Sequence, residues 1–350
     1  MDIFLTVLYC LIVLSILVFI HEGGHFIAAR AFGVRVTEFM LGLPGPKLSF
    51  RWKETQFGVT CIPLGGYARI CGMEPGNMRP YLPEVMACVW RYGKVSASDI
   101  SRQINIGKKY VDDALDELVD WGSIERAYKD EPQDLYYASA INGFNRGEAR
   151  DVEDINASFE SEYSKQYRSL NFAKRCLVIL AGIIINLLFA IIIFVVLYSV
   201  IGVDIQTGVA DEIKHINLNP IQAIQYGCMY IGAVCQAVVN LFNPSTAAET
   251  VSNSTSLIGI AVVSKSAADQ GIWVFMQFMA MISASLGIMN LLPILPLDGG
   301  RFLIEIIQVT IRKNVSEKVV NTISFLGMAA MIIFFVFMMN QDVQRFILGN

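Results

Sequence analysis

Long apolar runs alternate with mixed segments along this chain. Residues Ile3 to Ile20, Cys176 to Val203, Ile272 to Leu297 and Val319 to Met339 each come close to or exceed the roughly 20 residues that a helix needs to cross a hydrocarbon core. A weaker apolar stretch, 217–242, carries Gln222, Gln225 and Gln236 and reads as an interfacial amphipathic helix, with a membrane span as the alternative. Between the first two runs the pattern changes twice. Residues 33–70 mix β-branched and aromatic residues with polar ones, and Lys53-Glu54-Thr55 and Gly65-Gly66 act as turn signals. This predicts a small β-meander beside the membrane.

Residues 80–140 switch to helical periodicity. Pro83 to Tyr92 predicts a short helix, and Ser96-Ala97-Ser98-Asp99 is a capping box opening a second helix with Ile100 and Ile104. A third helix spans about Gly107 to Trp121. Its apolar residues Val111, Leu115, Leu118 and Val119 share one face, and Gly122 ends it. "SIERAY" and "DLYYAS" then read as two strands around a polar tip. Three helices followed by a hairpin predict a winged-helix-like insertion.

Composition agrees with a membrane protein. The 350 residues are 54% hydrophobic and only 17% charged, against about 25% charged in soluble domains. The net charge of −4 gives no sign of a nucleic-acid partner. Seven cysteines without CxxC spacing suggest neither a disulfide framework nor a cysteine metal site. The amino-terminal run lacks a basic start and continues through Phe26-Ile27-Ala28-Ala29, so it reads as a retained helix. Lysine and arginine are concentrated between the first two spans and in the short 301–318 loop. The positive-inside rule then puts both termini outside the cell and residues 32–175 in the cytoplasm of an inner-membrane, multi-pass protein.

The expected fold is an α-helical polytopic membrane protein. It has about four transmembrane helices, a membrane-associated β-segment and a cytoplasmic winged-helix-like insertion. The expected units are a first transmembrane helix, 1–31; the β-segment, 32–75; the insertion, 76–145; and a linker with an amphipathic segment, 146–175. A second transmembrane helix, 176–203, is followed by an extracytoplasmic connection with an amphipathic helix, 204–271. The third and fourth transmembrane helices occupy 272–350.

The chemistry sits at the end of the first span, in His21-Glu22-Gly23-Gly24-His25. Residues four apart share a helix face, so both imidazoles can reach one ion. Glu22 beside them can take a proton from metal-activated water, which is the physical content of HExxH. Catalytic zinc usually has three protein ligands plus water. The candidate third ligand is Asp298 in "NLLPILPLDGGRF". An ionised carboxylate at membrane depth costs about 2.5–3.5 kcal/mol on insertion scales, and a coordinated cation offsets that cost. Pro293 and Pro296 break the helix there and Gly299-Gly300 leave the backbone open, so Asp298 can turn inward.

HEGGH in a first span with N-x-x-P-x-x-P-L-D-G-G in a later one resembles the site-2 intramembrane metalloproteases, of the bacterial regulated intramembrane proteolysis type. "AGIIINLLFA" is similar to that family's second-span A-G-P-x-x-N, with Gly182 and Asn186 at matching positions and Ile183 in place of the proline. Ser285 stands where close relatives often have asparagine. The resemblance implies a zinc-dependent endopeptidase with His21, His25 and Asp298 as ligands and Glu22 as general acid–base. Asn186 and Asn290 would hold the unwound substrate. The substrates would be single-pass membrane proteins within the lipid bilayer, such as anti-sigma factors or signal-peptide remnants. Connection 204–271 is too short for the PDZ domain that relatives often carry. His215 reads as a surface residue and Arg301 as an interface anchor. The third helix of the insertion carries Asp112, Asp113, Asp116, Glu117 and Asp120, which would repel phosphates. Residues 80–140 therefore suit a cytoplasmic protein partner better than DNA. A catalytically inactive membrane scaffold is the alternative, but it has no need to keep four costly site residues.

Overall fold

The structure is a computed structural model that describes residues 2–62, 65–73, 79–207 and 212–348. The first apolar run and the histidines form one continuous helix, α1 (Ile3–Ala31). Its apolar side chains face two ways. Val13 and Leu17 are buried, while Ile3, Phe4 and Phe19 are exposed, as lipid-facing positions must be in a span.

Four strands follow: β1 (Val36–Leu41), β2 (Lys47–Trp52), β3 (Thr55–Thr60) and β4 (Gly66–Ile70). They do not form the expected meander. The sheet order is β2-β3-β1-β4, with β1 parallel to β3 and antiparallel to β4. Only β2 and β3 form a hairpin, turning at Lys53. The aromatic side chains account for this order. Phe39 of β1 and Phe57 of β3 both pack on Phe26 of α1, with ring centroids 5.4 and 5.6 Å apart, and Phe19 meets Phe39 at 5.5 Å. Edge-to-face pairs of this kind contribute about 0.5–1.5 kcal/mol each beyond area burial. They hold β1 and β3 side by side against α1, with β2 on the outer edge.

The insertion folds as α2 (Leu82–Tyr92), β5 (Lys94–Ser96), α3 (Ala97–Ile104), α4 (Lys108–Asp120), β6 (Ile124–Arg126) and β7 (Leu135–Ala138). Its expected junction with the β-segment, 74–78, lies outside the described residues. Strand β5 was not expected. It pairs with β7, giving a three-stranded sheet of order β5-β7-β6. Ser96 caps α3 as its spacing predicts, accepting from the Asp99 amide at 3.1 Å. Val85, Met86, Ile100, Leu115, Leu118 and Trp121 share one dry core. A short helix, α5 (Ile155–Tyr163), leads back to the membrane.

The second span is α6 (Phe172–Val195), capped by Asn171 and prolonged by a π-helical stretch, Val196–Ile201. Strands β8 (Val203–Thr207) and β9 (Glu212–Ile216) follow, and their intervening residues lie outside the described set. Helix α7 (Pro220–Leu241) opens with a capping box on Asn219. It packs on α6, where Tyr230 meets Phe194 and Tyr226 meets Tyr198. Next come α8 (Ala247–Asn253), α9 (Leu257–Asp269) and α10 (Ile272–Asn290). Among the described residues five helices are long and apolar enough to cross a membrane, and α7 is among them beside the four expected runs.

The third span ends sooner than the apolar run suggests. Helix α10 stops at Asn290, residues 291–297 are irregular, and α11 (Asp298–Ile311) starts afresh. Pro293 and Pro296 supply no backbone N–H to continue the ladder. Helix α12 (Glu317–Asp342) completes the fold. All seven cysteines are free thiols.

A buried ion pair ties these parts together just past the end of α1. Arg35 and Glu162 are each 1% exposed and meet through two hydrogen bonds, of 2.6 and 3.1 Å. Arg35 also donates to the Trp121 carbonyl, and Ser123 and Lys165 donate to Glu162. Burial by itself would raise the Glu162 carboxyl. The Arg35 hydrogen bonds and charge, with Lys165, outweigh burial and hold it down at about 2. Removing one partner strands the other charge, at a cost of about 3–5 kcal/mol. Glu162→Gln is therefore expected to lower the unfolding midpoint of the detergent-solubilised chain at neutral pH. The folded pKa lies below the ordinary 4.5, so the contribution of Glu162 is complete above that value and fades as pH falls toward about 2. The gap between parent and variant should close across that window. A gap independent of pH would contradict the assignment.

Candidate metal centre

Three helices bring the site together. His21 and His25 lie one turn apart on α1, with Nε2 atoms 3.4 Å apart and ring centroids 4.9 Å apart. Asp298, the first residue of α11, places Oδ2 3.1 Å from both Nε2 atoms. Both histidines are buried, and the Asp298 side chain is 15% exposed. Among the described residues these form a metal-capable group, with one ligand atom from each within 4.8 Å of the others.

The third helix, α6, supplies the space and the support. Gly182 faces the histidines so closely that a Cβ there would overlap His25 Nε2 and come within 2.8 Å of His21 Cε1. On the α1 side, a Cβ on Gly24 would sit 2.6 Å from the Ala181 carbonyl oxygen. The two glycines let the backbones cross at a separation that no other residue permits. Gly24 was not singled out from the sequence, although glycine in the variable part of HExxH was the available signal.

The histidine tautomers follow from the atoms behind them. His25 donates Nδ1–H to the Val178 carbonyl of α6 at 2.8 Å, leaving Nε2 free as a ligand. His21 has its Nδ1 3.3 Å from the Asn186 side-chain amide. If His21 also binds metal through Nε2, its Nδ1 carries the proton and needs an acceptor. Asn186 Oδ1, otherwise buried without a partner, is that acceptor once the amide is turned over. The donor set fits zinc: two neutral imidazoles, one carboxylate and a buried setting. Asn186 itself is 0% exposed. The side chain stands behind His21, at its Nδ1. Asn290 ends α10 and is partly exposed.

Glu22 reaches toward β4. Its Oε2 accepts from the amide of Ala68 in edge strand β4 at 3.0 Å. Glu22 remains within electrostatic reach of His21, His25 and Asp298. The carboxylate is thus held near the three donors without belonging to their group. His215 lies far along the chain, is exposed and donates to the Ile201 carbonyl. Ser285 donates within its own helix to Met281, while Ser283 donates to the Asn186 carbonyl and pins α10 to α6.

Comparison with known proteins agrees with this geometry. The profile of peptidase family M50 matches residues 9–334. The zinc metalloprotease RasP of Geobacillus kaustophilus is 23% identical, with 98% of this chain and 99% of that protein covered. The regulator of sigma-W protease RasP of Bacillus subtilis is 24% identical over 98% and 99%. A putative zinc metalloprotease of Clostridium acetobutylicum is 26% identical over 97% and 98%.

Two substitutions test the supports of the cluster. Gly182→Ala puts a methyl group where the imidazoles lie, and the purified chain should lose most of its zinc by elemental analysis. Asn186→Ala removes the acceptor behind His21 and should weaken zinc affinity about 10–100-fold in a chelator competition. Unchanged affinity in the Asn186 variant would return that residue to a substrate role.

Proposed function

The chain belongs to peptidase family M50, and on that premise we propose that it is a zinc-dependent endopeptidase that cuts membrane proteins at its α1–α6–α11 centre. The observation that carries the reading is the convergence of His21, His25 and Asp298 at 3.1–3.4 Å inside apolar helices, with Glu22 fixed alongside. His21, His25 and Asp298 hold the metal. A zinc ion in that position supplies Lewis acidity, which polarises the scissile carbonyl and lowers the pKa of water toward about 7.

The protein's own groups do the rest. Glu22 accepts the proton of the attacking water at its carboxylate and returns it to the leaving amide nitrogen. The Ala68 amide keeps that carboxylate oriented. A peptide bond inside a transmembrane helix is shielded by its own hydrogen bonds, so the substrate must be extended before attack. Strand β4 is the sheet edge nearest Glu22, and an extended segment laid along it would meet the carboxylate. Asn290, at the end of α10, suits a contact with the freed backbone.

The substrate class is single-pass membrane proteins, such as anti-sigma factors or signal-peptide remnants. The name of the Bacillus subtilis relative, a regulator of sigma-W protease, supports the first of these. The arginine- and lysine-rich ends of α1, α6 and α11 support an orientation with this face in the cytoplasm and both termini outside. Residues 80–140 suit a protein partner. Asp120 and Glu117 of α4 accept from the Gly72 and Arg79 amides, so the helix that would read DNA is acidic and turned partly onto the membrane unit.

The test is cleavage of a single-span substrate panel in liposomes, with zinc measured on the same samples. Glu22→Gln should keep one zinc per chain and lose about 10²–10⁴-fold in rate, the usual range for a lost acid–base group. A variant that cleaves as fast as the parent would remove Glu22 from the mechanism.

A further inference from the structure

The end of α11 opposite Asp298 forms a second built feature. A groove of about 440 Å³ lies between the start of α6 and the end of α11, lined by Arg175, Gln308, Val309, Arg312, Lys313 and Asn314. Three of these six residues are cationic and none is acidic. Arg175 has one edge toward Glu305, with its Nε 3.4 Å from Oε2. Among the described residues, neither Arg312 nor Lys313 has an acidic partner. Arg312 closes α11 in the left-handed region, φ 53°, which turns the chain so that Lys313 follows at the helix end. The helix terminus contributes only about half a negative charge, so the groove stays positive.

Two further features say what fits there. Gln308 is 6% exposed and its Oε1 has no hydrogen-bond partner, so the groove holds a buried acceptor as well as cations. Ile306 and Val309 precede Arg312 at i−6 and i−3 and are 37% and 44% exposed. They form an apolar track that runs along α11 away from the charges. A free phosphate would use the cations alone. A lipid uses all three features: phosphate on the cations, a headgroup hydroxyl on Gln308 and an acyl chain on the track.

We propose that this groove is a specific site for an anionic phospholipid headgroup, of the phosphatidylglycerol type, at the membrane interface. Asp298 lies at the other end of the same 14-residue helix, roughly 20 Å away. An occupied site therefore fixes how deep α11 sits, and with it the third ligand. The lipid site itself does not depend on the peptidase reading, since it is tested by lipid bound rather than by cleavage.

The experiment is native mass spectrometry of the full chain in detergent, titrated separately with phosphatidylglycerol, phosphatidylcholine and inorganic phosphate. The parent should retain one phosphatidylglycerol in preference to phosphatidylcholine, and millimolar phosphate should not displace it. Arg312→Gln/Lys313→Gln should bind phosphatidylglycerol roughly 25-fold more weakly, at about 5-fold per cation. Lys108→Gln/Lys109→Gln, on the distant insertion, should bind as the parent does. Equal retention of the two lipids, equal loss in the control variant, or displacement by phosphate would each overturn the proposal. The lipid and phosphate arms decide it on the parent chain alone, whatever the stability of the double variant.

Discussion

Three side chains able to hold a metal ion stand within 3.4 Å of one another among apolar helices, and the local architecture follows from making that tolerable. An unneutralised carboxylate at this depth is costly. Two imidazoles can share one ion with it only if their outer nitrogens are satisfied and their rings are not pushed apart. The Val178 carbonyl and the Asn186 amide meet the first condition. Gly24 and Gly182 meet the second by letting α1 and α6 cross at close range. The proline-broken segment before α11 meets a third, since it ends one helix and starts another with Asp298 facing inward.

The soluble parts are fastened to this centre rather than appended to it. The β1–β4 sheet is clamped on α1 by Phe19, Phe26, Phe39 and Phe57, and its edge strand orients Glu22 through one amide. The insertion is fastened at Arg35, a few residues beyond α1, through Glu162, Trp121 and Ser123. Asp120 and Glu117 add two hydrogen bonds to the segment flanking β4. The insertion and the carboxy-terminal end of α1 are thus held to one another through Arg35.

The sequence alone located the long apolar helices, put His21 and His25 on one helix face and pointed to Asp298, which the fold brings beside them. These follow from local rules: length, helical spacing and the cost of charge in hydrocarbon. The capping of α3 by Ser96 was legible too, because it depends on neighbours in the chain. The strand order, the early end of α10 and the place of Asn186 were not legible. Each depends on a partner distant in sequence. Phe26 selects which strands lie together, and the histidines on α1 decide what an asparagine on α6 can do. Spacing reports which face a residue occupies, but only the crossing of α1 with α6 decides what that face touches.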